Sequence, residues 1–331
     1  MADEKNAPEP LKPLKTWSTL AGQRRRPSEY EIVSANTLYN ADNPELALEL
    51  SPDVPMNVWY RRYRTNSPLK HDDWNAFRDP DETVYRKYTT VQDAQETYVD
   101  GLLDQHDELG HDLPLTEAWA GALARLYTPA RFLMHAAQMC AAYTIVLAPG
   151  STVANCAVFE MADHFRWVSR ISYRTAELAK HRPDLGFRRD ERRHWKKSAG
   201  WQGYREMMER LLATYDWGEA MIALNVVAMP SIDAGLSALA AAARQNGDTL
   251  TGLLIDAQQK DSERRNRWVG AFVGFALARE ENRGVIRGWV DRWASKGQKA
   301  IDAYCKELES LAPAAAKGAR SSLDFSQSLA L

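Results

Sequence analysis

An all-α fold is what this sequence predicts, and three observations predict it. Apolar residues recur at three- and four-residue spacing through most of the chain beyond residue 81, the period of a helix. The stretch 113–183 reads as a buried helical hairpin whose first helix is apolar nearly all round, and such a helix has to be covered on every side. There is no credible strand or hairpin turn and no repeat at a fixed period, which argues against a sheet or a solenoid. Roughly ten helices in one domain is the expectation.

Residues 1–34 read as an extended N-terminal arm, 35–312 as a single domain and 313–331 as a loose Ala/Ser tail. The arm begins polar and proline-broken. It then carries Trp17, Leu20 and Tyr30 without periodicity, the mark of anchors that dock, either on the arm's own domain or on a partner chain. Between them, Arg24, Arg25 and Arg26 suggest phosphate only until the net charge of −2 is weighed, which leaves no pull toward nucleic acid. Residues 35–80 are loop-rich, punctuated by Pro44, Pro52, Pro68 and Pro80, with a short helix fitting 72–77. A first long helix is expected over 81–105, with Val84, Tyr88, Val91, Tyr98 and Leu102 on one face. Leu115, Trp119, Leu123 and Leu126 mark the next helical segment, after a polar link at 104–112.

The hairpin's first helix spans 129–147, with Thr128 as its cap and Pro129 in its first turn, where a missing N–H costs nothing. Ala148-Pro149-Gly150-Ser151 stops it. Its second helix spans 152–179. One stripe of it is Ala154, Ala157, Val158, Met161, Phe165 and Val168; another is Glu160, Asp163, Trp167, Arg170 and Arg174. A basic, solvated link follows at 181–200, then a helix over 201–215. Asp216 caps a helix that ends before Pro230, and 232–244 is Ala-rich and helical. Asp248 caps a long helix to residue 279 whose middle, 258–267, is wholly polar; two amphipathic helices, 284–293 and 297–311, close the domain.

The bulk composition narrows the function. At 331 residues, 45% hydrophobic with eleven Trp, the chain can build a large core. Cys140, Cys156 and Cys305 make neither a metal spacing nor a disulfide framework. The first 13 residues lack the apolar run of a signal peptide. The longest apolar run, 139–149, is shorter than the ~20 residues a bilayer span takes. A soluble, cytoplasmic protein that engages neither membrane nor nucleic acid is the expectation.

His135, Glu160, Asp163 and His164 form the one cluster in the hairpin with chemistry in it. A bundle that holds two irons uses Glu-x-x-His on two helices and a further Glu on each of two others. Glu-x-x-His occurs as Glu108/His111 and Glu191/His194, both in polar connections and the first interrupted by Gly110, so both read as chance. Glu160 and His164 are one residue too far apart for the motif. A structural network, in which these groups pair with one another and with Arg166 or Arg170, is the default reading; a metal site is the alternative. No Gly-rich phosphate loop, no Gly-x-Ser-x-Gly and no Cys/His pair in a plausible setting appears.

Longer strings carry a resemblance. Leu14-Lys15-Thr16-Trp17-Ser18, Arg26-Pro27-Ser28-Glu29-Tyr30-Glu31, Ser67-Pro68-Leu69-Lys70-His71-Asp72-Asp73-Trp74, Ala162-Asp163-His164-Phe165-Arg166-Trp167 and Asp216-Trp217-Gly218-Glu219-Ala220 are similar to the hydroxylase β subunit of bacterial multicomponent, soluble di-iron monooxygenases, in the toluene and alkene branch. The likeness runs from about residue 11 to 311. It implies a ferritin-like helical bundle and an α2β2γ2 hydroxylase that oxygenates an aromatic or alkene hydrocarbon. It implies a di-iron centre in the α subunit, with no catalytic, cofactor-binding or metal residue in the β scaffold. It also implies service by a coupling (effector) protein, a ferredoxin and an NADH-dependent reductase. Under it, Glu263/Asn266 resembles a Glu-x-x-His position that has lost its His, and Phe132/His135 another that has lost its Glu. Two other readings remain open. One is a catalytically competent di-iron protein using Glu160, Asp163, His164 and His135 in the 129–180 hairpin; the other is an all-α regulatory binding protein.

Overall fold

The computed structural model describes residues 26–35, 37, 53–321 and 323; Trp17, Leu20, the arginines before Arg26 and the end of the tail lie outside them. The described residues form α-helices with short π and 3₁₀ turns and no strand. α1 (Glu29–Ser34) opens on a capping box, with the Ser28 hydroxyl on the Glu31 N–H and the Glu31 carboxylate on the Ser28 N–H. The arm's described end is therefore helical, because Ser28-x-x-Glu31 is a helix start. It docks on its own domain: Tyr30 is buried, its hydroxyl accepts the Asp79 N–H at 3.0 Å, and Arg86 reaches Glu29 at 2.6 Å.

α2 (Pro55–Tyr60) and a 3₁₀ turn at Trp74–Ala76 precede α3 (Tyr85–Glu108). α3 starts four residues later than expected. Glu82 stands at φ 44°, and the Asp79 carboxylate takes the N–H groups of Asp81 and Thr83, which holds 79–83 in a turn. Its buried face is Gln92, Val99, Leu102 and Leu103, whereas Val91 and Tyr98 are exposed.

α4 (Glu117–Ala122) passes through a π turn, Leu123–Tyr127, into α5 (Ala130–Leu147). Thr128 is thus not a cap; its hydroxyl donates to the Ala124 carbonyl, and Thr116 caps α4 instead. Pro129 has no N–H to offer the Arg125 carbonyl four residues back. The widened turn exposes that carbonyl, and the Trp201 indole N–H takes it at 2.7 Å. Gly150 ends the hairpin turn because a Cβ there would stand 2.6 Å from the Trp74 carbonyl oxygen. α6 (Ser151–His181) follows. The basic link is partly structured: Phe187 is buried, and α7 (Glu191–Lys197) leads into α8 (Ala199–Leu212).

α9 (Trp217–Ile222) is capped by Asp216 as expected, but the helix does not end at Pro230. A second π turn, Ala223–Ala228, carries it into α10 (Met229–Gln245). The stretch 217–245 is long and apolar enough to cross a membrane, beyond the 139–149 run expected to be the longest; 72% of its most apolar window is buried, as in a core helix. Asp248 caps α11 (Thr249–Ala276). The two expected closing helices are one, α12 (Glu281–Leu308), with Gly297 buried inside it. The tail is not loose from residue 313: α13 (Pro313–Ser321) buries Ala316 and Ala319 against α10 and α12. α5, α6, α10 and α11 make the central bundle, α3 lies on α11, and α8 and α12 pack together on the far side. The class is a ferritin-like all-α bundle.

Candidate functional site

α6 turns Glu160, Asp163, His164 and Trp167 inward, all nine-tenths or more buried; α11 turns in Gln258, Asp261, Ser262 and Arg265, and α3 contributes Gln92. A buried charge needs a partner, and here each carboxylate has one. Asp163 accepts from the Tyr88 hydroxyl at 2.9 Å and from Gln92 at 3.1 Å, and pairs with Arg264. Asp261 accepts the Trp167 indole N–H at 2.8 Å, the Gln92 amide at 3.0 Å and two N–H groups of Arg166 at 2.7 and 3.0 Å. Asp233 on α10 accepts from Ser262 at 2.9 Å and pairs with Arg265. Glu160 faces His164 at 3.4 Å. Arg166 also reaches Glu96 at 2.8 Å, and Arg170 pairs with Glu96 and Asp100.

Burial, then the Asp261 charge, push the Asp163 carboxyl up to about 6 against the pull of Arg264 and Arg166. Burial and Asp163 push the Tyr88 hydroxyl up as well. The empty space is small. One cavity of about 10 Å³ lies among Glu160, Asp163, His164, Gln258, Asp261 and Arg265, and another of about 10 Å³ lies beside Cys156 and Arg264. Each is about one water's worth.

The donor set does not fit a di-iron centre. The bundle pattern asks for free carboxylates and imidazoles from four helices. Asp163, Asp233 and Asp261 instead hold the guanidinium groups of Arg264, Arg265 and Arg166. α5 faces Gln258 with the Met134 sulfur, at 3.5 Å, where a carboxylate would be needed. Among the described residues no three His, Cys, Asp or Glu side chains converge in metal-binding geometry.

Three of the four expected cluster residues are thus together, and one is not: His135 is exposed on the outer side of α5. The degenerate-motif positions are corrected too. Glu263 and Asn266 both face solvent, and the inward residues of α11 lie at other registers. Phe132 stacks on Trp195 instead of facing α11. The Glu-x-x-His strings converge on nothing. Glu108 is exposed while His111 pairs with Asp248 at 3.1 Å, and Glu191 is buried beside Arg131 while His194 meets Ser198. A second buried polar cluster, which no sequence motif marks, lies at the other end of α6. Arg174 forks onto Asp112 at 2.5 and 2.6 Å beside Glu177, His106, His111 and His181. Arg174 shares the Asp163–Trp167 stripe, which was the available signal.

These features define a ferritin-like bundle whose central aspartates are paired with arginine. Residues 59–280 match the methane/phenol/alkene hydroxylase family, and the chain belongs to it. Over 91% of its length and 93% of the relative's, it is 48% identical to the β subunit of the hydroxylase component of the toluene-4-monooxygenase system of Ectopseudomonas mendocina. A 139-residue stretch, 41% of this chain and 36% of the relative, is 30% identical to the hydroxylase small subunit of propane 2-monooxygenase from Gordonia sp. strain TY-5. Among solved structures, a chain of toluene 4-monooxygenase with toluene in its resting active site superposes with a TM-score of 0.86 at 47% identity, covering 91% of this chain and 99% of that one. Xenon-pressurised phenol hydroxylase from Pseudomonas sp. OX1 superposes with a TM-score of 0.82 at 17% identity over 99% and 97% of the two chains, a likeness of fold alone.

Proposed function

We propose that this chain is the scaffold, β-type subunit of a soluble di-iron hydroxylase that oxygenates an aromatic or alkene hydrocarbon. In this reading it supplies no catalytic, cofactor-binding or metal residue, and the di-iron centre belongs to the α subunit of an α2β2γ2 assembly. A coupling protein, a ferredoxin and an NADH-dependent reductase serve that assembly in the cytoplasm, with no membrane or nucleic acid involved. The arm 1–34 and one domain from residue 35, extended through α13, carry the assembly role. The observation that carries the reading is the 48% identity, along nearly the whole of both chains, to a hydroxylase β subunit. The arginine-paired centre supports it: Arg264, Arg265 and Arg166 supply the positive charge that Asp163, Asp233 and Asp261 need. Against the catalytic alternative stand the exposed His135 and the occupied Asp163.

The test is to purify the hydroxylase with this chain in it, wild type and Glu160→Ala. The variant strands His164 in the interior and costs about 1–3 kcal/mol of stability. Iron per complex and turnover per iron stay within about twofold, because no transition-state contact is removed. Loss of iron from a complex that is still fully assembled would overturn the reading in favour of a site built on Glu160, Asp163 and His164.

A further inference from the structure

We infer that the polar centre of the bundle binds two internal water molecules, one in each of its two small cavities, and that they carry hydrogen bonds from Arg265 and Arg264 to Glu160 and Asp163. Each cavity is about 10 Å³, roughly the least space that holds one water. Size alone does not put water there, because a cavity with apolar walls stays dry. These walls are polar. Glu160, Asp163 and Arg265 line both cavities, and all three are more than nine-tenths buried. Around them the direct bonding is incomplete in a complementary way. Arg265 places one terminal nitrogen on Ser262 at 3.3 Å and the other on Asp233 and on Asn266 at 3.1 Å. Its Nε is buried and donates to nothing among the described residues. Glu160 has one hydrogen-bond partner among the described residues, His164, at 3.4 Å, longer than most bonds of that kind.

The charges on the walls select the occupant. A cation would stand against the guanidinium groups of Arg265 and, in the second cavity, Arg264; an anion would stand against the carboxylates of Glu160 and Asp163. The guest is therefore neutral, has to donate and accept at once, and is no larger than about one water. Water meets all three conditions. In the first cavity it accepts the Arg265 Nε–H and donates to Glu160, so the orphaned donor and the thinly bonded carboxylate satisfy each other through it. In the second cavity it has Arg264 to accept from and the carboxylates of Glu160 and Asp163 to donate to, with Thr83 and Cys156 completing the wall. Direct contacts leave Glu160 and His164 apart from the Asp163 network; the two waters join them into one.

The experiment is a crystal structure of the chain, with whatever subunits copurify, at a resolution where ordered water is seen, as wild type, Glu160→Gln and Glu160→Leu. The wild type shows one water peak per cavity, the first within hydrogen-bond reach of Arg265 Nε and a Glu160 oxygen, about 2.7–3.2 Å. Glu160→Gln keeps an acceptor oxygen and keeps that peak. Glu160→Leu removes the acceptor, and the first peak is lost. Cavities without density in the wild type overturn the proposal and leave the scaffold reading as it stands. A first-cavity peak that stays in place in Glu160→Leu also overturns it, because Glu160 would then have no part in holding the water. A peak at metal–ligand distance from Glu160 or His164 overturns the waters and the scaffold reading together.

Discussion

The two flanks of the central bundle are built from the same kind of helix and held in opposite ways. On the α8–α12 flank, shape does it. Gly203 lets α8 approach until a Cβ there would stand 2.5 Å from the Ala300 Cα. Trp201, Tyr204 and Tyr304 meet edge-on or tilted, with ring centres 5.2 to 6.2 Å apart. Their polar tips all end on backbone carbonyls: Trp201 on Arg125, Tyr304 on Leu126 at 2.9 Å, and Tyr204 on Ser231 at 2.6 Å. On the α3–α6–α11 flank, charge does it, through buried arginine–carboxylate pairs. The contrast teaches where each kind of residue can be replaced. An aromatic seam has no isosteric substitute, whereas a buried ion pair often gives way to apolar residues of like volume at little cost.

The largest expected effect breaks the aromatic side. Trp201→Ala leaves a large cavity and an orphaned Arg125 carbonyl, and costs about 4–5 kcal/mol, read as a lower urea midpoint with unchanged slope. Next comes the charged side, where the single and double changes have to differ. Asp163→Leu strips Arg264 of its closest carboxylate and costs about 3–4 kcal/mol. Adding Arg264→Met removes the stranded charge and returns most of that loss. A double variant as unstable as Asp163→Leu alone would mean that the charged flank is no more replaceable than the aromatic one.

The two flanks were unequally legible. Helix caps at Asp216 and Asp248 and the stop at Ala148–Ser151 rest on neighbours in sequence, so the residues themselves announce them. Pro129 opens α5 as its place in a first turn implies, but Pro230 misled, because a proline normally ends a helix and this one lies just after a π turn that single-sequence periodicity does not encode. That the polar stripe of α6 is buried and paired was legible; its partners were not. Arg166 and Arg170, the nearest cations in sequence, looked like partners for Glu160 and Asp163. The fold instead joins Asp163 to Arg264 and Arg166 to Asp261, residues about a hundred positions away. On α3, Val84 and Leu102 of the expected face are buried, but Val91 and Tyr98 are exposed because the polar network draws Gln92 inward and turns the face by about one residue, so that Val99 and Leu103 fill it.

The smallest expected effect sharpens the comparison within the charged residues themselves, through pH. Asp163 sits near 6 in the fold against an ordinary 3.8, because burial and Asp261 favour its neutral form. Between about pH 4 and 6 the folded chain therefore holds a proton that the unfolded chain has lost. Stability falls as pH rises across that window, by at most about 3 kcal/mol for this group. Asp248 is the counterexample. Burial pushes its carboxyl up, but His111, Arg174, the Thr251 N–H and the Trp119 indole outweigh burial and hold it below 3.8. Its contribution is present above the ordinary value and lost as pH falls through the depressed one. Urea unfolding from pH 3 to 8 of the wild type, Asp163→Asn and Asp248→Asn separates the two. The wild type's margin over Asp163→Asn shrinks from pH 4 to 6 and is flat above 7. Its margin over Asp248→Asn is flat above pH 5 and shrinks on acidification. Two margins that fall together on acidification would show that Arg264 and Arg166 outweigh burial and Asp261 and hold Asp163 as a carboxylate.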